Sequence, residues 1–129
     1  MPQIEDKNRN SNVIDKLLLD TNMLLAAVQF KADVFSPKAF TLSSCMDELK
    51  KLSKRKSKDG MSAKLILELL NKKKFPIIVA DKKGDAAIIE YAVRTKCSVA
   101  TNDKDLIERL KQRKVKVYRL RQKKMLVEA

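Results

Sequence analysis

Histidine and tryptophan are absent from the 129 residues, and glycine occurs only at Gly60 and Gly84. Without histidine there is no Ser-His-Asp or Cys-His catalysis and no histidine metal site. Two isolated glycines cannot build a Walker or Rossmann phosphate loop. Cysteine is equally scarce: Cys45 and Cys97 lie far apart with no CxxC, so neither zinc nor a disulfide framework is indicated. Two buried free thiols are the expectation. No apolar run reaches the roughly 18 to 20 residues that cross a bilayer, and the opening stretch MPQIEDKNRNSN has no apolar signal-peptide core. These absences predict a cytoplasmic protein with no membrane contact. Any chemistry must come from carboxylates, hydroxyls, lysines or a metal on oxygen ligands.

What the chain does have is charge. Lysine and arginine number 29 against 16 acidic residues, a formal net charge of +13. Heat-adapted surfaces mix both signs in ion-pair networks, so the imbalance points instead to a polyanionic partner. With no membrane-anchoring pattern, nucleic acid is that partner. At 44% hydrophobic the chain can still bury a core, and its length suits one domain. The expected organisation is a polar N-terminal tail over 1–15 and a single domain over 16–129.

Apolar runs and turn residues predict a regular alternation of elements. Leu17 to Leu19 is short enough for a buried strand, and Thr21 to about Phe30 reads as a helix. Beyond Pro37, Ala39 to Leu42 suits a strand, Ser43 or Ser44 an N-cap, and Cys45 to about Lys54 a helix broken by KRKSKDG. A helix from about Ser62 to Lys72, a strand IIVA opened by Pro76, and a helix from Gly84 to about Lys96 follow. The strand SVAT, a helix over KDLIERLKQRK, the strand VKVYRL and a Lys-rich tail complete the chain. This order implies an α/β protein, a three-layer α/β/α sandwich with a central, mostly parallel sheet.

Three acids share one grammar. Asp20, Asp85 and Asp103 each begin a helix just after an apolar strand, and each is followed at three, four and seven residues by apolar side chains. Open α/β sheets put their ligand crevice at that end of the strands. Aspartate is also favoured as an N-cap or first-turn residue. Several acids on one sheet edge would nevertheless repel one another unless a cation neutralised them. In SSCMDELKKL, Cys45, Leu49 and Leu52 bracket Glu48, which places it at the margin of the inward face while Asp47 points away with Lys50 and Lys51. An inward Glu48 needs a basic partner or a metal. Asp105 should look outward with Arg109 but lies two residues from Asp103, as an additional ligand or a support to one. Asn22 and Thr101 are small polar residues able to orient a carboxylate or a water. Asp59 and Asp81 read as loop residues.

LLLDTN, the SxxxxEL element around Glu48, the DxxI element from Asp85 and ATNDKDL from Ala100 together resemble the PIN-domain nucleases, over Lys16 to about Leu120. The resemblance implies a metal-dependent endoribonuclease with Asp20, Glu48, Asp85 and Asp103 around Mg²⁺ or Mn²⁺. Hydrolysis by a metal-activated water would leave a 5′ phosphate and a 3′ hydroxyl. Within the family, ATNDKDL looks closer to small-subunit ribosomal RNA processing nucleases than to VapC toxins. The partners implied are RNA, including ribosomal RNA, and an antitoxin, a ribosome-assembly factor or a second copy of the chain.

Beside an acidic crevice, the basic run KKLSKRKSK reads as a rail for the phosphate backbone through Lys50, Lys51, Lys54, Arg55, Lys56 and Lys58. Lys111, Arg113, Lys114, Lys116, Arg119 and Arg121 form a second basic group. Few aromatics are present for stacking, so RNA shape should matter more than base readout. A haloacid-type phosphatase would want an aspartate where Asn22 stands. A catalytically silent RNA-binding or assembly module is the non-enzymatic alternative, and intact acids at all four positions argue against it.

Overall fold

The computed structural model describes residues 16–129; the expected tail, 1–15, lies outside the described residues. These form six strands and five helices. In chain order they are β1 (Leu17–Leu19), α1 (Thr21–Gln29), β2 (Ala39–Leu42), α2 (Ser43–Leu52), α3 (Lys58–Lys73) and β3 (Ile77–Ile78). Then come α4 (Gly84–Thr95), β4 (Ser98–Ala100), α5 (Lys104–Gln112), β5 (Val117–Arg121) and β6 (Met125–Glu128). The sheet order is β3-β2-β1-β4-β5-β6, parallel throughout except for β5 and β6. Helices cover both faces, giving the three-layer α/β/α sandwich.

Burial on both sides explains why the central strands are buried at every position and β1 is apolar throughout rather than alternating, with only Thr41 of β2 and Ser98 of β4 polar. Leu17 and Leu19 join a core with Met23 and Leu24 of α1, Leu49 of α2, and Ile66 and Leu70 of α3. Leu18, on the other face, joins Ile88 and Ala92 of α4 and Leu106 and Leu110 of α5. Helix α2 contributes to both, through Leu49 to the first core and Cys45 to the second. It therefore sits across the end of the sheet, which is what brings Glu48 towards the strand ends.

Three expectations need correction. Ser43 and Ser44 lie inside α2, whose N-cap is Leu42; the Ser43 hydroxyl instead accepts a 3.0 Å hydrogen bond from the Ala80 amide, tying the segment after β3 to α2. Helix α3 starts at Lys58 rather than Ser62, capped by Ser57 Oγ on the Gly60 amide at 3.1 Å, so Asp59 is a first-turn helical residue and not a loop residue. The Lys-rich end is a strand: β6 pairs antiparallel with β5, Arg121 facing Met125. Asp81 does lie in a bend. Both cysteines are buried free thiols, and burial pushes both thiols up in pKa. Among the described residues no helix is long and apolar enough to cross a membrane.

Candidate active site

The strand order reverses between β1 and β4, which are neighbours with crossovers leaving in opposite directions. Side chains following such strands converge on a crevice. Asp20 follows β1 and Asp103 follows β4, and both are N-caps, Asp20 Oδ1 accepting from the Met23 amide at 2.8 Å and Asp103 Oδ1 from the Leu106 amide at 3.1 Å. The capping and site readings of these acids therefore hold together, since one oxygen of each closes its helix and the other is left for something else.

Thr101, fully buried, links the two. Its hydroxyl donates to Asp20 Oδ2 at 2.5 Å and accepts from the Asp103 amide at 3.1 Å. Next to it, Asn102 Oδ1 accepts from the Leu120 amide at 2.8 Å, fixing the loop after β4 to β5. On the other side, buried Thr41 donates from Oγ1 to the Leu19 carbonyl at 2.8 Å, holding the end of β1.

A cavity of about 360 Å³ lies over these strand ends, and Asp20, Glu48, Asp85 and Asp103 all line it, with Thr21, Asn22, Ser44, Cys45, Lys51, Arg55 and Gly84. Helix α2 supplies a stripe at helical spacing: Ser44, Glu48, Lys51 and, just past the helix end, Arg55. Asp85 comes from the first turn of α4, entered through Gly84, whose φ of +62° is a conformation that suits glycine.

The surroundings act on the acids unequally. Asp20 is only 7% exposed, and burial, reinforced by the Asp103 and Asp85 charges, pushes its pKa up to about 6 against the lowering by its Thr101 and Met23 hydrogen bonds. Asp85 is raised in the same direction by burial and by Asp103, opposed by Arg109. Arg109 Nη1 stands 3.6 Å from Asp85 Oδ2 and 3.8 Å from Asp105 Oδ2.

Several predicted positions differ from expectation. Glu48 is exposed at the cavity rim rather than inward; its Oε1 accepts from the Thr21 hydroxyl at 2.5 Å, and among the described residues no basic side chain pairs with it. Asp105 does not line the cavity: it points outward to Arg109, the direction its helical neighbours indicated. Lys51 does not only point away with Asp47 and Lys50: exposed, it lines a depression with them and also the acid cavity with Arg55. Lys54 and Lys56 line a neighbouring depression with Arg55, and Lys50 lies beside Glu48 and Lys83 in another. Lys58 opens α3. Among the described residues the acids do not form a closed group of three or more around one point.

Thr21 was not singled out by sequence reading, although it sits inside the DTN triplet. The available clue was register: in a helix starting at Thr21, a hydroxyl beside Asp20 faces the next element on the crevice.

Residues 17–123 match the PIN-like domain family. The chain belongs to that family. It is 33% identical over 127 residues to Ribonuclease VapC9 of Archaeoglobus fulgidus, an alignment covering 92% of each chain. The PIN-like match runs from the start of β1 through the turn after β5, so it contains all four acids and every element that positions them.

Proposed function

We propose that this PIN-like chain is an endoribonuclease dependent on Mg²⁺ or Mn²⁺, with Asp20, Glu48, Asp85 and Asp103 holding the cation. The observation that carries the reading is convergence: four carboxylates from four separate segments line one cavity at the switch point of a parallel sheet. Their chemistry fits a hard divalent ion, because every donor is an oxygen and buried Asp20 carries a charge that its neighbours oppose.

A bound cation would supply Lewis-acid activation of water and neutralisation of phosphate charge. The chain's own residues supply orientation. Thr101 and the Met23 amide hold both oxygens of Asp20, Thr21 restrains Glu48, and exposed Lys50, Lys54, Lys56 and Lys58 offer contacts to the RNA backbone. The net reaction is hydrolysis: a water oxygen bonds to phosphorus, the bond to the 3′ oxygen breaks, and a water proton ends on that oxygen. Products carry a 5′ phosphate and a 3′ hydroxyl.

Because the archaeal relative is named Ribonuclease VapC9, we rank a VapC-type ribonuclease above ribosomal RNA processing; a cytoplasmic location and an antitoxin partner belong to that proposal. Ribosomal RNA, a ribosome-assembly partner and a homodimer rest on the sequence resemblance alone.

Purified protein incubated with structured RNA and Mg²⁺ or Mn²⁺ tests the reading. Asp20→Asn should abolish cleavage with the circular dichroism spectrum intact, and undiminished cleavage by that variant would refute the assignment. Either cation should raise Tm through linkage, with a smaller gain in Glu48→Gln and Asp103→Asn.

A further inference from the structure

The basic run after Glu48 is not uniform. Lys51 and Arg55 line the acid cavity, whereas Lys54 and Lys56 line only the adjoining depression; Arg55 belongs to both and stands at their junction. Two cations sharing a cavity with four carboxylates would ordinarily collapse onto them. They do not: among the described residues the ion pairs are Lys82 with Glu90 and Arg109 with Asp85 and Asp105, and neither Lys51 nor Arg55 pairs with any of the four acids. Positive charge held beside acids yet unneutralised by them suits a negatively charged third party.

The backbone around Arg55 is held in place by contact. Its amide donates to the Leu52 carbonyl at 2.9 Å, closing the turn out of α2. The first turn of α3 then rests directly on this turn: a Cβ at Gly60 would fall 2.0 Å from the Arg55 carbonyl oxygen and 3.0 Å from the Leu52 carbonyl oxygen. Those are backbone atoms, so only glycine allows the approach. Ser57 capping the Gly60 amide locks the same turn from the other side.

We propose that Lys51 and Arg55 bind the phosphate that is cleaved, not merely the flanking backbone, and that Gly60 is the positioning residue that keeps Arg55 at the cavity mouth. The proposal rests on the ribonuclease reading. An RNA strand lying along the Lys54 and Lys56 depression passes Arg55 as it enters the acid cavity. There the guanidinium and the Lys51 ammonium face the non-bridging oxygens, where negative charge gathers as the water oxygen bonds to phosphorus and the 3′ oxygen departs. Charge placed for that moment acts on turnover more than on binding.

The test compares Arg55→Ala, Lys51→Ala and, as a charge-matched control remote from the cavity, Lys72→Ala. Arg55→Ala should lose about 100-fold in kcat with KM within about threefold of wild type. Millimolar guanidinium should restore part of the loss, and Arg55→Lys should retain more than Arg55→Ala. Gly60→Ala, followed with Tm, should show the same kcat loss in its folded fraction without guanidinium rescue, because its arginine is present but displaced. A raised KM with kcat unchanged in Arg55→Ala and Lys51→Ala overturns the proposal. Should wild type leave RNA intact, the ribonuclease reading fails and anion binding decides the rest. Sulfate in the presence of Mg²⁺ should then raise Tm saturably for wild type and Lys72→Ala but not for Arg55→Ala; equal rises in all three overturn the assignment.

Discussion

Asp20 is where stability and function oppose one another. Its carboxyl is ordinarily half-ionised near 3.8 but in the fold only near about 6, a difference equivalent to about 3 kcal/mol between its charged and neutral forms. Below about pH 4 the side chain is protonated in folded and unfolded chains alike, and the fold is at its most favourable with respect to this group. Between about pH 4 and pH 6 the unfolded chain ionises first, the folded chain holds the extra proton, and stability falls as pH rises. Above about 6 the full penalty stands. In chelator, the stability difference between wild type and Asp20→Asn should grow over that window in favour of the variant, reaching a few kcal/mol at neutral pH. Urea unfolding at several pH values measures it, and a difference that is flat with pH removes the desolvated-acid argument. Thr101→Val tests the support: the hydroxyl that holds Asp20 Oδ2 and receives the Asp103 amide is lost, and cleavage should drop by about 10 to 100-fold.

The elements that sequence periodicity exposed are the ones buried on a clear face. β1, β2, β4 and the helices after Asp20, Asp85 and Asp103 appear where the apolar spacing puts them, because each must cover one side of the sheet. The misses have local causes. KRKSKDG does break the chain between α2 and α3, but its last three residues already belong to α3, where Gly60 is glycine for a close approach to the backbone of Arg55 and Leu52 and not for a turn. The β5–β6 hairpin escaped because its turn lacks the Asn-Gly that announces one: Gln122 and Lys123 take left-handed φ values of 53° and 58° instead. Three acids of the cavity were readable from their shared position after strands, and Glu48 from its apolar neighbours on α2, but the Thr21–Glu48 bond and the place of Lys51 at the cavity depend on how α2 lies across the sheet end, which no local pattern encodes. The hairpin carries a stability prediction. Gln122→Gly should stabilise by about 1 kcal/mol by relieving the left-handed strain, seen as a higher urea midpoint. Lys123→Gly should gain less, since Lys123 Nζ sits 4.8 Å from the Phe30 ring centroid and that cation–π contact is lost.

Across the molecule, a net charge of +13 surrounds a crevice whose strand ends carry acid, so the distribution of lysine and arginine decides where RNA lies. The two basic groups are not equivalent. Lys54 and Lys56 line the depression that adjoins the acid cavity through Arg55. Lys111 and Lys114 sit at the far end of α5, whose N-terminus carries Asp103; nine helical residues put them about 13 Å down the axis, towards the opposite edge of the sheet. Within the second group, Lys111 and Lys114 are therefore displaced from the crevice along the helix, whereas Arg119 and Arg121 lie on β5, parallel to β4. A short RNA that spans the cavity should engage the first pair and not the second. With Lys54→Ala and Lys56→Ala combined, the slope of log affinity against log salt should flatten by about 1.4 to 1.8, at roughly 0.7 to 0.9 per lost phosphate contact. With Lys111→Ala and Lys114→Ala combined it should stay as in wild type. Fluorescence anisotropy of a labelled decamer over a salt series reads both, and a flattening that follows the α5 pair would place the RNA on the other edge of the sheet, away from the four acids.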